Sequence, residues 1–244
     1  MNAIAGSDTD DIWSKYADVH EADFVKALDP TALKGKRIGI VRDIDSVTST
    51  TTPLLEAAIK VMTTQGVDAV EIPRSGIYDL NHEMYRILIY QFSEDLNAYL
   101  ADTPTAVKTR SITDLIAFNK VEPHEKLHAQ DLFEVTVATR GGRRNPDYIK
   151  MLDHAKHASR TDGIDRLIRD YNLSALVTVT ARPAWKMQPD GTPPDQDPMA
   201  VLPHSESLGS MVNYAAIAGY PHLTVPMGMA DGLPVGLSFV GPAW

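Results

Sequence analysis

The chain has 244 residues, 43% hydrophobic and 23% charged, with a formal net charge of −9 and a pI of about 5.3. That balance suits a soluble globular protein of one large domain or two small ones, and it excludes non-specific binding to nucleic acid or to an anionic membrane. The absence of cysteine excludes disulfides, a thiol nucleophile and thiolate metal sites.

No apolar run approaches the roughly 18 residues that a membrane span requires. The opening Met1-Asn2-Ala3-Ile4-Ala5-Gly6 lacks the basic start and apolar stretch of a signal peptide. A cytoplasmic location is therefore expected. Residues 1–35 are polar and turn-rich. Asp8, Asp10 and Asp11 cluster there, but the ligand spacing and closing Glu of a calcium loop are missing, so turn capping and solvated charge are expected.

Residues 36–41 (KRIGIV) read as a buried strand. Residues 52–65 follow as an amphipathic helix opened by Thr52-Pro53, with Leu55, Ala58, Ile59 and Met62 on one face. Gly66 stops that helix, and residues 67–72 form a second strand. Strand, helix and strand at this spacing predict a parallel pair with a right-handed crossover.

The middle of the chain is mostly helical. Residues 80–101 carry Met84, Ile87, Leu88, Phe92, Leu96 and Leu100 at helical spacing, and residues 112–118 and 129–139 read as shorter helices. Residues 146–171 predict a long helix divided or bent near Gly163. Residues 173–179 (LSALVTV) are continuously apolar, the pattern of a strand covered on both faces.

From 181 to 203 the chain turns to Pro, Gly and Asp, a long irregular loop of the kind that carries function or disorder. A small-residue helix over 207–218 leads into two β-rich runs joined by Ala230-Asp231-Gly232-Leu233. Asp-Gly between such runs is a strong hairpin signal. The glycines and prolines of this closing segment suggest backbone approaching something closely. The architecture is α/β, with a mixed, largely parallel sheet covered by helices.

Four constellations bear on chemistry. His124-Glu125-Lys126-Leu127-His128 matches H-E-x-x-H, which on a helix puts two imidazoles on one face for Zn²⁺. Pro123 and polar flanks favour a solvated loop or helix start instead. His154 and His157 lie on a basic helix side that faces solvent. Ser205, Ser207 and Ser210 have the setting of caps and turns, without G-x-S-x-G or S-x-x-K. Gly141-Gly142-Arg143-Arg144 lacks phosphate-loop spacing and reads as a surface turn. No complete active site emerges from these residues.

The closing segment Asn213-Tyr214-Ala215-Ala216-Ile217-Ala218-Gly219-Tyr220-Pro221, then Leu223-Thr224-Val225-Pro226-Met227-Gly228, then Leu233-Pro234-Val235-Gly236-Leu237-Ser238-Phe239, resembles the C-terminal part of the amidase signature family. Ala3-Ile4-Ala5-Gly6-Ser7-Asp8 and Leu33-Lys34-Gly35-Lys36-Arg37-Ile38-Gly39-Ile40 agree in the family's order. Phe92 to Leu100, Ser111 to Asn119 and Gln130 to Glu134 fit its small-molecule and peptide amidase branch.

The resemblance implies an enzyme that hydrolyses carboxylic amide C–N bonds through a Ser–cis-Ser–Lys triad, with backbone N–H groups of a Gly/Ser-rich loop holding the oxyanion. In the family that loop and the Lys precede everything present here, and this sequence contains no such run. Residues 1–244 are therefore expected to be the C-terminal part of one amidase-signature domain, an incomplete fold without catalytic residues, metal or cofactor. By resemblance, Gln130, Phe133, Trp185 and Tyr220 would wall the substrate pocket.

A small-molecule or peptide amide would be the substrate of the complete enzyme, and the chain would need the missing N-terminal half or self-associate. The alternatives are a non-catalytic binding or split-complex protein, a zinc hydrolase built on His124, Glu125 and His128, and the glutamine-hydrolysing component of an amidotransferase.

Overall fold

The computed structural model describes residues 2–11, 14–20, 22–42, 47–73, 80–125, 130–184 and 211–243. Its framework starts at β1 (Arg37–Val41), where successive side chains point to opposite sides. Ile38 and Ile40 enter one core, and Val41 enters another. The chain then runs through α1 (Thr52–Thr64) into β2 (Asp68–Ile72), which pairs with β1 in parallel from Arg37 beside Asp68 to Val41 beside Ile72. Helix α1 begins as predicted, with Pro53 in its first turn and the Thr52 hydroxyl donating to Thr48 O at 2.7 Å. It buries Leu55 and Met62 against the sheet.

Strand β3 (Ala175–Val179) joins the other side of β1 in parallel, through Ile38 beside Ala175 to Ile40 beside Val177. Strands β4 (His222–Ala230) and β5 (Leu233–Val240) extend the sheet with antiparallel pairings, giving the order β2-β1-β3-β5-β4. The sheet is thus mixed, with three parallel strands continued by a hairpin. Strand β3 is covered on both faces as its apolar run predicts: Leu176, Val177, Thr178 and Val179 are all 0% exposed.

The hairpin turn is the predicted one. Asp231 and Gly232 have φ of 49° and 79°, the left-handed pair that matches the twist of two antiparallel strands. The close approach expected of the neighbouring glycines is to the chain's own side chains. A Cβ at Gly228 would lie 2.8 Å from Leu54 Cδ2 of α1, and one at Gly236 would lie 2.6 Å from Thr224 Cγ2 and 2.7 Å from Thr180 Oγ1.

The middle helices are α2 (Asn81–Ala101), α3 (Ile112–Val121), α4 (Asp131–Ala138), α5 (Pro146–Ser159) and α6 (Asp165–Tyr171). Ser111 caps α3 by accepting from Asp114 N. That helix runs past Phe118 to Val121, because nothing stops it before Pro123 biases its predecessor Glu122 to extended backbone. The division predicted at Gly163 is real. A π-helical segment, Arg160–Ile164, separates α5 from α6, and Gly163 holds non-helical φ and ψ of −104° and −105°.

Helix α7 (Met211–Ala218) is described from Met211 onward, so the predicted start at 207, Ser205, Ser207, Ser210 and most of the 181–203 loop lie outside the described residues.

These elements stack in layers. Helix α1 covers one sheet face, where Leu55, Met62 and Val67 meet Ile38, Ile40, Val177, Val179 and Leu237. The α5–α6 unit and α7 cover the other, where Ile164, Leu167, Met211 and Tyr214 meet Val41, Ile72, Leu176 and Val240. Helix α2 packs outside α5 through Ile87, Tyr90, Tyr148 and Ala155, and it carries α3 and α4 beside it.

The Gly141–Arg144 stretch is more than a surface turn: Gly142 is buried, and Arg143 reaches α2 with a two-pronged bond to Asp95 at 2.8 and 2.7 Å. The guanidinium also donates to Glu94 at 3.2 Å. Among the described residues, no helix is long and apolar enough to cross a membrane.

Candidate functional site

Phe133 sits in the first turn of α4, whose inward face meets α2. Its ring stacks on Phe92 with centroids 6.0 Å apart and planes 17° from parallel. The two rings line a groove of about 360 Å³ together with Tyr85, Leu88 and Leu132, and Gln91, Asp95 and Thr136 are its polar lining residues. The α2 positions recur at 85, 88, 92 and 95, a single helical face. The groove can hold an apolar group against aromatic walls, with a polar contact at its α2 C-terminal end.

Gln130 immediately precedes α4 and does a different job. Its side-chain amide donates to Ile116 O at 3.4 Å, tying the start of α4 to α3. Its Oε1 is buried and lacks a hydrogen-bond partner among the described residues. Tyr220 follows α7 on another side of the fold. Its hydroxyl donates to the Asp165 carboxylate at 2.8 Å, and the Arg160 guanidinium stands 5.8 Å from its ring centroid. Arg160 also donates to Ala218 O at 2.8 Å.

Burial first, and then the bond to Asp165, push the Tyr220 phenol above its ordinary range, so it stays protonated and donating. Phe133 therefore lines a groove, Gln130 braces two helices, and Tyr220 fastens the α7–β4 connection to the α5–α6 junction. Trp185 lies outside the described residues.

The sequence reading missed a row of hydroxyls on the α7 face of the sheet. Ser238 Oγ lies 2.8 Å from Thr180 Oγ1 and 2.7 Å from His222 Nε2, with Thr224 Oγ1 at 3.4 Å. Thr178, directly opposite Ser238 in the β3–β5 register, is fully buried and its Oγ1 has no partner among the described residues. A Ser–His contact of this kind invites a nucleophile reading. Ser238, however, is 0% exposed and already shared with Thr180, which makes it a cross-strand hydrogen-bond node. Alternation of Thr, Ser and His along the three strands was the available signal; their register was not.

His124 lies in an exposed turn with its ring 2.8 Å from Glu122, in the solvated setting its flanks suggest, and His128 is outside the described residues. His154 and His157 are exposed on α5, facing Glu83 at 3.6 Å and Asp162 at 3.4 Å. Among the described residues, no group of three or more His, Asp or Glu could hold a metal ion.

Comparison with known proteins places this geometry. A probable amidase of Arabidopsis thaliana is 29% identical over 255 aligned residues, which take in 99% of this chain and 42% of that protein. In Acinetobacter baylyi, the A-type component of glutamyl-tRNA(Gln) amidotransferase is 28% identical, covering 100% of this chain and 48% of that one. A solved peptide amidase in complex with the competitive inhibitor chymostatin superposes with a TM-score of 0.80 at 32% identity, over 100% of this chain and 47% of that structure.

The chain thus spans less than half the length of each of these relatives. The family profile of the amidases matches residues 1–244, the full extent of the sequence. The chain belongs to the amidase family.

Proposed function

We propose that this chain is the C-terminal part of an amidase that hydrolyses carboxylic amide C–N bonds, and that it does not catalyse this reaction by itself. The observation that carries the reading is the family match over all of residues 1–244 by a chain that covers only 42% and 48% of two relatives. The sequence holds no Gly/Ser-rich run that could present a nucleophile and oxyanion donors together. In this scheme the rest of the enzyme supplies the nucleophile, its base and the oxyanion donors, and this chain supplies pocket walls. Phe133 is the wall residue with a groove beside it, and Gln130, Trp185 and Tyr220 remain proposed contributors. The 32% identity to a peptide amidase over the whole chain favours a small or peptide-like amide as substrate.

The same reading makes a partner segment necessary. Among the described residues, strand β4 is paired on one side only, and Leu223 and Met229 on it are 62% and 59% exposed. An open edge with apolar side chains pairs readily with another strand. We propose that the N-terminal half of the enzyme covers it, and that the chain self-associates without that half.

The test is to purify the 244-residue chain, alone and mixed with the upstream segment of its parent enzyme, and to assay ammonia release from a peptide amide. Turnover in the mixture only is the expected outcome. Turnover by the chain alone, or a stable stoichiometric complex with none, refutes the reading. Release of ammonia from glutamine but not from peptide amides would favour an amidotransferase component, the kind of protein named for the 28% identical relative.

A further inference from the structure

The groove between α2 and α4 has walls that face outward. Leu88, Phe92 and Leu132 are 52%, 41% and 45% exposed, although they lie side by side with Phe133 and Tyr85. A cluster of this kind leaves apolar surface for an incoming group to cover. Its volume of about 360 Å³ suits one side chain with its flanking backbone. The nearly parallel Phe92 and Phe133 rings offer faces and edges on which a further aromatic ring packs with better geometry than an aliphatic chain.

Charge distinguishes the two ends. Positions 85 to 95 of α2 span about 15 Å of helix, with Tyr85 at one end and Asp95 at the other. At the Asp95 end, two carboxylates, Asp95 and Glu94, share the single guanidinium of Arg143. Among the described ion pairs, that leaves one surplus negative charge beside an apolar slot. The complement is an apolar group with a cation or N–H donor a few bonds away.

We propose that this groove binds the aromatic side chain of a peptide-like amide whose free ammonium lies toward Asp95. Its role as a substrate subsite rests on the amidase reading; the binding itself does not. The ring fills the slot between Leu88, Phe92, Leu132 and Phe133, and the ammonium joins the Asp95–Glu94–Arg143 group as the missing positive charge.

The test titrates the 244-residue chain with phenylalaninamide, N-acetylphenylalaninamide and alaninamide by calorimetry at low salt. Phenylalaninamide is expected to bind saturably and to exceed alaninamide by about 10-fold or more, the discrimination a buried apolar side chain provides. N-acetylation, which removes the ammonium, is expected to weaken binding several-fold. Leu88→Lys, at a half-exposed position that tolerates charge, should abolish phenylalaninamide binding while far-UV circular dichroism stays unchanged. Asp95→Asn should erase the preference for the free ammonium and leave the ring preference in place.

No saturable binding of phenylalaninamide, equal binding of alaninamide, or unchanged affinity in Leu88→Lys overturns the proposal. Peptide-amide turnover by the assembled enzyme without this binding would sink the groove alone. Binding without turnover in the assembled enzyme would sink the amidase reading alone.

Discussion

Gly163→Ala is the sharpest test of how the α5–α6 unit is built. Two effects oppose each other. Alanine favours helix over glycine by about 1 kcal/mol, which would stabilise the variant if the π segment could relax to an ordinary turn. The space argues otherwise. The new methyl carbon would lie 2.6 Å from Ala158 O, and 2.8 and 2.9 Å from Tyr214 Cε1 and Cδ1.

Neither neighbour can yield cheaply: the first is backbone, and Tyr214 is 0% exposed within the α7-side core. Overpacking of this kind costs about 1–3 kcal/mol, so once the helix gain is subtracted the net loss is up to about 2 kcal/mol. For a domain of this size that lowers Tm by up to about 8 °C. Thermal melts followed by far-UV circular dichroism measure it. Gly241→Ala is the control, since no atom of the described residues lies within 4 Å of a Cβ there. A Gly163→Ala protein as stable as wild type would refute the argument and show that the π turn relaxes.

Thr178→Val removes a fully buried hydroxyl that has no partner among the described residues, and should raise stability by about 1–2 kcal/mol in urea unfolding; a loss of stability would show that the hydroxyl is satisfied. Ser111→Ala removes the side-chain cap of α3 and should cost about 1 kcal/mol by the same assay, with faster amide exchange over its first turn. Asp114 gives a pH test. Its carboxylate accepts from the Arg110 backbone N–H and is coupled to the Ser111 side chain, which holds its pKa below the ordinary range. Its stabilisation is therefore present above the unfolded value of about 3.9 and is lost as pH falls through the lower folded value. Asp114→Asn should melt below wild type at neutral pH, and the difference should close on acidification below about pH 4; a constant difference would contradict the assignment. Arg143→Ala should free the Gly141–Arg144 turn from α2 at a cost of about 1 kcal/mol, since the pair is partly exposed, and should speed amide exchange there.

Features that depend on a few consecutive residues were legible in the sequence. The Asp231-Gly232 turn, the β1–α1–β2 unit, the start of α3 at Ile112 and the break at Gly163 each follow from locally available backbone conformations. Family membership was legible for a related reason. Linear segments such as 213–221 and 233–239 keep their order and spacing whatever the rest of the protein does.

Register across long separations came from the fold. It placed Thr180, Ser238, His222 and Thr224 in one hydrogen-bonded row, and it set Arg143 against Asp95 on a distant helix. It also gave Gln130 and Phe133, three residues apart, different partners: one side chain reaches α3, and the other stacks on α2. Helical periodicity assigns a residue to a face, but which neighbour meets that face depends on how the helices pack. That is a long-range outcome no short window of sequence contains.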